Sequence, residues 1–217
     1  MDRLADDIVF CSVAFGDAYV QQQSRLRESI KRQYKEPNLI FHTNTLPPGS
    51  KPFLDSLYGF KPHLAQEALD KGFKRVILLD PAMILVGKID RFLSYPVIAV
   101  KDTSVLWNVT SLKAAEYYST TRGGIKEKGW HLVGGSFYFF DFHNPETKTI
   151  FDQWYWAEKL GLFGSQKEAA SEQLQGHRYD ETMMALAMYS NNIEPQDPDE
   201  VGYCTGENTV WEKRHFK

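Results

Sequence analysis

The chain has 217 residues, 42% apolar and 24% charged, enough for one sizeable domain and too few for two ordinary ones. A net charge of −3 with histidine neutral implies no broad basic surface and argues against nonspecific phosphate-backbone binding as the main task, leaving room for a local basic strip. The cysteines, Cys11 and Cys204, are too few for a disulfide framework, and Cys11 lies in an apolar run as a small buried residue.

The opening MDRLADD lacks the basic-then-apolar order of a signal peptide, and no apolar stretch reaches membrane-spanning length. A cytoplasmic protein with no membrane span is expected, and the sequon at Asn108-Val109-Thr110 is then coincidental. Ile8–Val13 predicts a buried strand, followed by the turn Ala14-Phe15-Gly16-Asp17. A helix is predicted over Tyr19–Gln33, with Leu26, Ile30 and Tyr34 on one face. Asn38–His42 adds a second strand, giving the β-α-β order of a nucleotide-binding half. The first turn has no GxGxxG fingerprint and no P-loop, so neither a nicotinamide Rossmann enzyme nor a P-loop enzyme fits.

Thr43–Leu57 is rich in Pro, Gly and Ser and predicts a long loop, of a length usually functional or mobile. Lys61-Pro62 then opens a helix over about Pro62–Lys71, with Phe60, Leu64 and Ala68 as its stripe. Lys61 stands at its start, where a phosphate ligand and a solvated lysine are both open readings. Val76–Leu79 is apolar without alternation, as in a strand covered on both faces. It ends on Asp80, and Pro81 stops further pairing. Ligands of open α/β sheets collect at such strand ends, so Asp80 is either a site carboxylate or a turn cap.

Met83–Val86 continues extended, Ile89–Ser94 predicts one helical turn, and Val97–Val100 the next strand. Ser111–Ser119 and Thr121–Lys128 predict polar helices of a flap bracketed by Trp107 and Trp130, rings that either stack on sugars or anchor the fold. Leu132–Asp141 predicts a strong strand interrupted by Gly134 and Gly135, the mark of a bulge or a close approach. Asn144-Pro145-Glu146 starts a helix running to about Leu160, with Ile150, Phe151, Trp154 and Ala157 inward and Gly161 and Gly164 ending it.

Gly176–Met184 crowds His177, Arg178, Asp180 and Glu181 together. Asp180 is placed to cap a helix over Glu181–Tyr189, a role asparagine would keep. Capping leaves His177, Arg178 and Glu181 unaccounted for, and so dense an ionisable cluster points to function. From Asn191 the chain turns Asp-, Pro- and Gly-rich and closes on the basic, aromatic Trp211–Lys217. Residues 191–217 are expected to form a mobile tail or to fold over an anionic ligand.

In this order, the elements and motifs resemble the GT-A fold of nucleotide-sugar-dependent glycosyltransferases over most of Ile8–Tyr189. Asp80-Pro81-Ala82 falls where that fold carries its Asp-x-Asp motif for metal and ribose. His177-Arg178-Tyr179-Asp180-Glu181 is similar to the His-Asp-Glu segment of blood-group-type transferases and to the HRxDQ-like segments of other small members. The resemblance implies an α/β, GT-A-like (Rossmann-like) single domain over residues 1–217, its mostly parallel sheet flanked by helices. It implies a hexosyl- or pentosyltransferase that uses a nucleotide-diphosphate sugar. The acceptor is open among protein, glycan, metabolite and modified DNA base.

The resemblance also implies roles. Asp180 faces the sugar as acceptor base or stabiliser, with Glu181 in reserve. Ala14, Phe15 and Tyr19 meet the base, while Lys61, Asp80 and Ala82 line the nucleotide. Gly134, Gly135 and Arg178 meet the sugar. A divalent cation, Mn or Mg, would sit at Asp80, with His177 and His215 as further ligands. Ala82 replaces the second acid of the motif and weakens that site. Lys61, Arg178 and the Lys213–His215 stretch are the cationic substitutes. Two other functions fit the same residues, a non-catalytic nucleotide- or sugar-binding module and a phosphotransfer enzyme with Asp80 as nucleophile.

Overall fold

Alternation along the strands divides the core in two. In β2 (Ile8–Ala14), Val9, Cys11 and Val13 face one side, and Ile8 and Phe10 the other. In β5 (Arg75–Leu79), Val76 and Leu78 oppose Ile77 and Leu79. β8 (His131–Asp141) repeats the pattern, with Tyr138 and Phe140 against Phe137 and Phe139. Both faces are buried, which is why these strands read as continuous apolar runs.

The computed structural model describes residues 2–3, 5–164, 171–172, 174, 179–202 and 211–213. Among them, β4 (Asn38–Thr43) and β7 (Val97–Val105) complete a five-stranded sheet of order β4-β2-β5-β8-β7. β4, β2 and β5 run parallel, and β8 runs against both β5 and β7, so the sheet is mostly parallel. At the margins, β1 (Asp2–Arg3) pairs with β3 (Tyr34–Lys35).

Helices cover both faces. α1 (Asp17–Gln33) buries Leu26 and Ile30 on one, with Tyr34 beyond its end. α2 (Phe60–Asp70), α5 (Pro145–Lys159) and a helix over Tyr179–Ser190 cover the other. α2 begins at Phe60, so Pro62 falls within its first turn, where a missing N–H breaks no helical bond. α5 starts as expected: the Asn144 side chain accepts from Glu146 N–H at 2.9 Å, and Pro145 opens the helix. Its inward Phe151 and Trp154 are fully buried, and burying a large apolar side chain contributes about 1.5–3 kcal/mol.

The two polar helices expected between Trp107 and Trp130 form as α3 (Leu112–Tyr117) and α4 (Arg122–Glu127), capped by Ser111 and Thr121. Trp130 stacks on Tyr189 at 4.7 Å and 5°, which makes that ring an anchor of the fold. The Tyr179–Ser190 helix follows as α6. Within the expected tail, Gln196 bridges Val100, and β9 (Trp211–Lys213) pairs antiparallel with β6 (Met83–Leu85). Among the described residues, no helix is long and apolar enough to cross a membrane. Burial holds the Cys11 thiol far above its ordinary pKa, as suits a packing residue.

Candidate functional site

Two turns at the carboxyl ends of the parallel strands frame the site. Asn44 N–H donates to Ala14 O at 2.8 Å and Gly16 N–H to Asn44 Oδ1 at 2.9 Å, which ties the turn after β2 to the end of β4. Gly16 has φ 76°, a left-handed conformation that glycine adopts without steric cost. Ala14 is buried, whereas Phe15 and Tyr19 project with 37% and 51% exposure. After β5, Asp80 N–H donates to Ser136 O at 2.9 Å, and Asp80 O accepts from Met83 N–H at 3.0 Å. That second bond closes a turn over Pro81 and Ala82, and Ala82 is 1% exposed.

Between these turns and α6 lies a buried ammonium. Lys61 Nζ, from the first turn of α2, donates to Asp180 Oδ2 at 2.7 Å and to Gly135 O at 2.8 Å. It lies 4.0 Å from Asp80 Oδ1 and over the rings of Tyr58 and Tyr138, at 5.0 and 5.6 Å from their centroids. Tyr138 OH donates to the same Asp180 oxygen at 3.1 Å, and Gly135 N–H donates to Glu181 Oε1 at 3.0 Å. Thus Lys61, Asp80, Gly135, Asp180 and Glu181, distant in sequence, form one cluster.

Two expectations change here. Lys61 is 6% exposed, so the solvated reading gives way to a structural ion pair. Asp180 lies inside α6, which starts at Tyr179, and its carboxylate turns to Lys61 and Tyr138 instead of capping. Gly135 has a local cause as well: a Cβ there would lie 2.9 Å from Glu181 Oε1 and 3.0 Å from Lys61 Nζ. The close approach is therefore made by the protein's own charges. At Gly134 a Cβ would meet Val100 O at an ordinary 3.8 Å.

The electrostatics follow from burial. Desolvation alone would lower the Lys61 pKa, but the carboxylates of Asp180 and Asp80 outweigh it and hold the ammonium above its ordinary range. Burial raises the Asp180 carboxyl, with the Lys61 charge pulling the other way. Burial and the Asp180 charge keep the Tyr138 phenol protonated, as a donor must be.

Aromatic rings flank the cluster. Phe15 lies 6.5 Å from Phe53, Phe53 5.8 Å from Tyr58, and Tyr58 6.1 Å from Tyr179. A cavity of about 10 Å³, room for one water, lies beside Lys61, Asp80 and Gly135. Sequence reasoning missed Tyr58, Phe53 and Tyr138. For the first two the available signal was a pair of aromatics in and beside a Pro-, Gly- and Ser-rich loop.

Asp180 is engaged by Lys61, Glu181 by the Gly135 N–H, and the Ala82 side chain brings no donor atom. Among the described residues no group of three or more His, Cys, Asp or Glu could hold a metal ion. His177, Arg178 and His215 lie outside the described residues.

No protein-family profile and no curated protein sequence matches the chain. Among solved structures it is similar to the crystal structure of a glycosyltransferase involved in the glycosylation of the major capsid of PBCV-1. That similarity has a TM-score of 0.49 and 11% identity, and covers 94% of this chain and 92% of that chain.

Proposed function

We propose that this chain is a small GT-A-like glycosyltransferase, moving a hexosyl or pentosyl unit from a nucleotide-diphosphate sugar to an acceptor nucleophile. The buried Lys61–Asp180 pair carries this reading, set beside Asp80 at the strand ends where α/β sheets bind ligands. In the reaction the bond from the anomeric carbon to the diphosphate oxygen breaks, and a bond to the acceptor oxygen forms. Negative charge grows on the departing diphosphate, and the Lys61 ammonium is a fixed charge able to stabilise it. The acceptor's proton goes to a carboxylate. Asp180, whose carboxyl burial raises while the Lys61 charge favours its ionised form, is assigned that role, with Glu181 as reserve. Phe15 and Tyr19, at the turn that Ala14 begins, would receive the base and Asp80 the ribose. Gly134 and Arg178 would border the sugar. With the charge supplied by Lys61, part of the activity is expected to survive a chelator.

A non-catalytic binding module is the second reading, favoured by the pairing that already neutralises Asp180. Release of nucleoside diphosphate from a panel of nucleotide sugars separates the two. The wild type should release it, and Asp180→Asn, assayed below its melting temperature, should do so at least about 100-fold more slowly. Binding without release by the wild type would establish the binding module instead.

A further inference from the structure

Tyr58 stands in a backbone conformation that its own side chain disfavours. Its φ is 58°, in the left-handed region where a bulky residue is strained, and Tyr179, in ring contact with it, has φ 26°. Strain of this kind persists only where the surroundings over-determine it, and it gathers at ligand sites. Here the surroundings are explicit. A Cβ on Gly59 would lie 2.1 Å from Ser56 Oγ and 3.1 Å from Glu158 Cγ, so the backbone next to Tyr58 is seated against both. In the same loop, Lys51 Nζ donates to Glu158 O at 2.9 Å, and Glu158 Oε2 meets His63 Nε2 at 2.9 Å. On the other side, Lys61 N–H donates to Tyr58 O at 3.1 Å.

What this clamp secures is the placement of one ring. Tyr58 remains 41% exposed although Lys61 Nζ lies over it and Phe53 packs edge-on at 79°. Burial pushes its phenol up, with the Lys61 charge pulling the other way, and the same Lys61 Nζ lies 2.7 Å from Asp180 Oδ2 and 4.0 Å from Asp80 Oδ1. A bare phosphate would need the cation and no ring. A sugar needs both features found here: an aromatic surface for its C–H face and carboxylates for its hydroxyls.

We propose that Tyr58 is a binding residue for the donor's sugar ring, packing on its face beside the carboxylates that surround Lys61; this rests on the glycosyl-transfer reading above. Titration calorimetry with UDP, GDP, UDP-glucose and GDP-mannose tests it on the wild type, Tyr58→Phe and Tyr58→Asn. Asparagine tolerates the left-handed region, so Tyr58→Asn relieves the strain and remains folded, which a melting curve checks. It should weaken a nucleotide sugar by about five- to tenfold and leave the parent diphosphate within about twofold, while Tyr58→Phe retains both. Equal losses for sugar and parent would assign the ring to the base, and unchanged or tighter sugar binding would make Tyr58 a mere cover. Either overturns the proposal while the donor reading stands. A wild type that binds none of the four probes overturns the donor reading, and this proposal with it.

Discussion

Lys61 holds a full charge where burial disfavours one, and its tolerance depends on Asp180. Removing one member of a buried pair strands the other and costs about 3–5 kcal/mol, whereas removing both is close to neutral. Lys61→Met should therefore lower unfolding stability by about that much, and adding Asp180→Asn should restore most of it. Denaturant unfolding of the two single variants and the double variant measures this; additive losses would mean that the pair is not coupled. Asp180→Asn alone also destabilises, because the residue is not a helix cap. Asp80, Asp180 and Glu181 were legible as carboxylates at a strand end and a helix start. The Tyr138 phenol was not, since its position reads as a core strand residue and its partner lies 42 positions on.

At the scale of elements, the loop from β4 to α2 is organised by Glu158. Burial would raise this carboxyl, but the hydrogen bond with His63 and the Lys51 ammonium 3.2 Å from Oε1 outweigh burial and hold it below the ordinary glutamate range. A lowered carboxylate gives stability that is complete above its unfolded pKa and is lost as pH falls through its folded one. The melting temperature should accordingly drop on acidification past the ordinary glutamate range. Glu158→Gln should flatten that limb and cost about 1–3 kcal/mol at neutral pH. An acid limb unchanged in the variant would assign it to other carboxylates. A long loop was readable from its Pro, Gly and Ser content. Its clamp was not, because Lys51 and Glu158 are 107 positions apart and only the packing of α5 beside α2 joins them.

Across the whole molecule, what a local stretch encodes was legible, and what depends on distant pairing was not. Apolar runs gave away the strands over residues 8–14 and 75–79, and helical periodicity marked α1 and α5. Pairing of Trp211–Lys213 with Met83–Leu85 has no such local signal, since each segment is short and its partner far along the chain. The sheet matters to function because it brings two turns, one lysine and a helix start to a single edge, with Lys61 at their centre. Equilibrium binding of UDP, GDP and their sugar conjugates in chelator, compared between the wild type and Lys61→Met/Asp180→Asn, tests that centre most directly. The wild type should bind without added metal, and the double variant, folded but lacking the charge, should bind at least about tenfold more weakly. Equal affinities in the two proteins, or wild-type binding only after Mn²⁺ is restored, would contradict it.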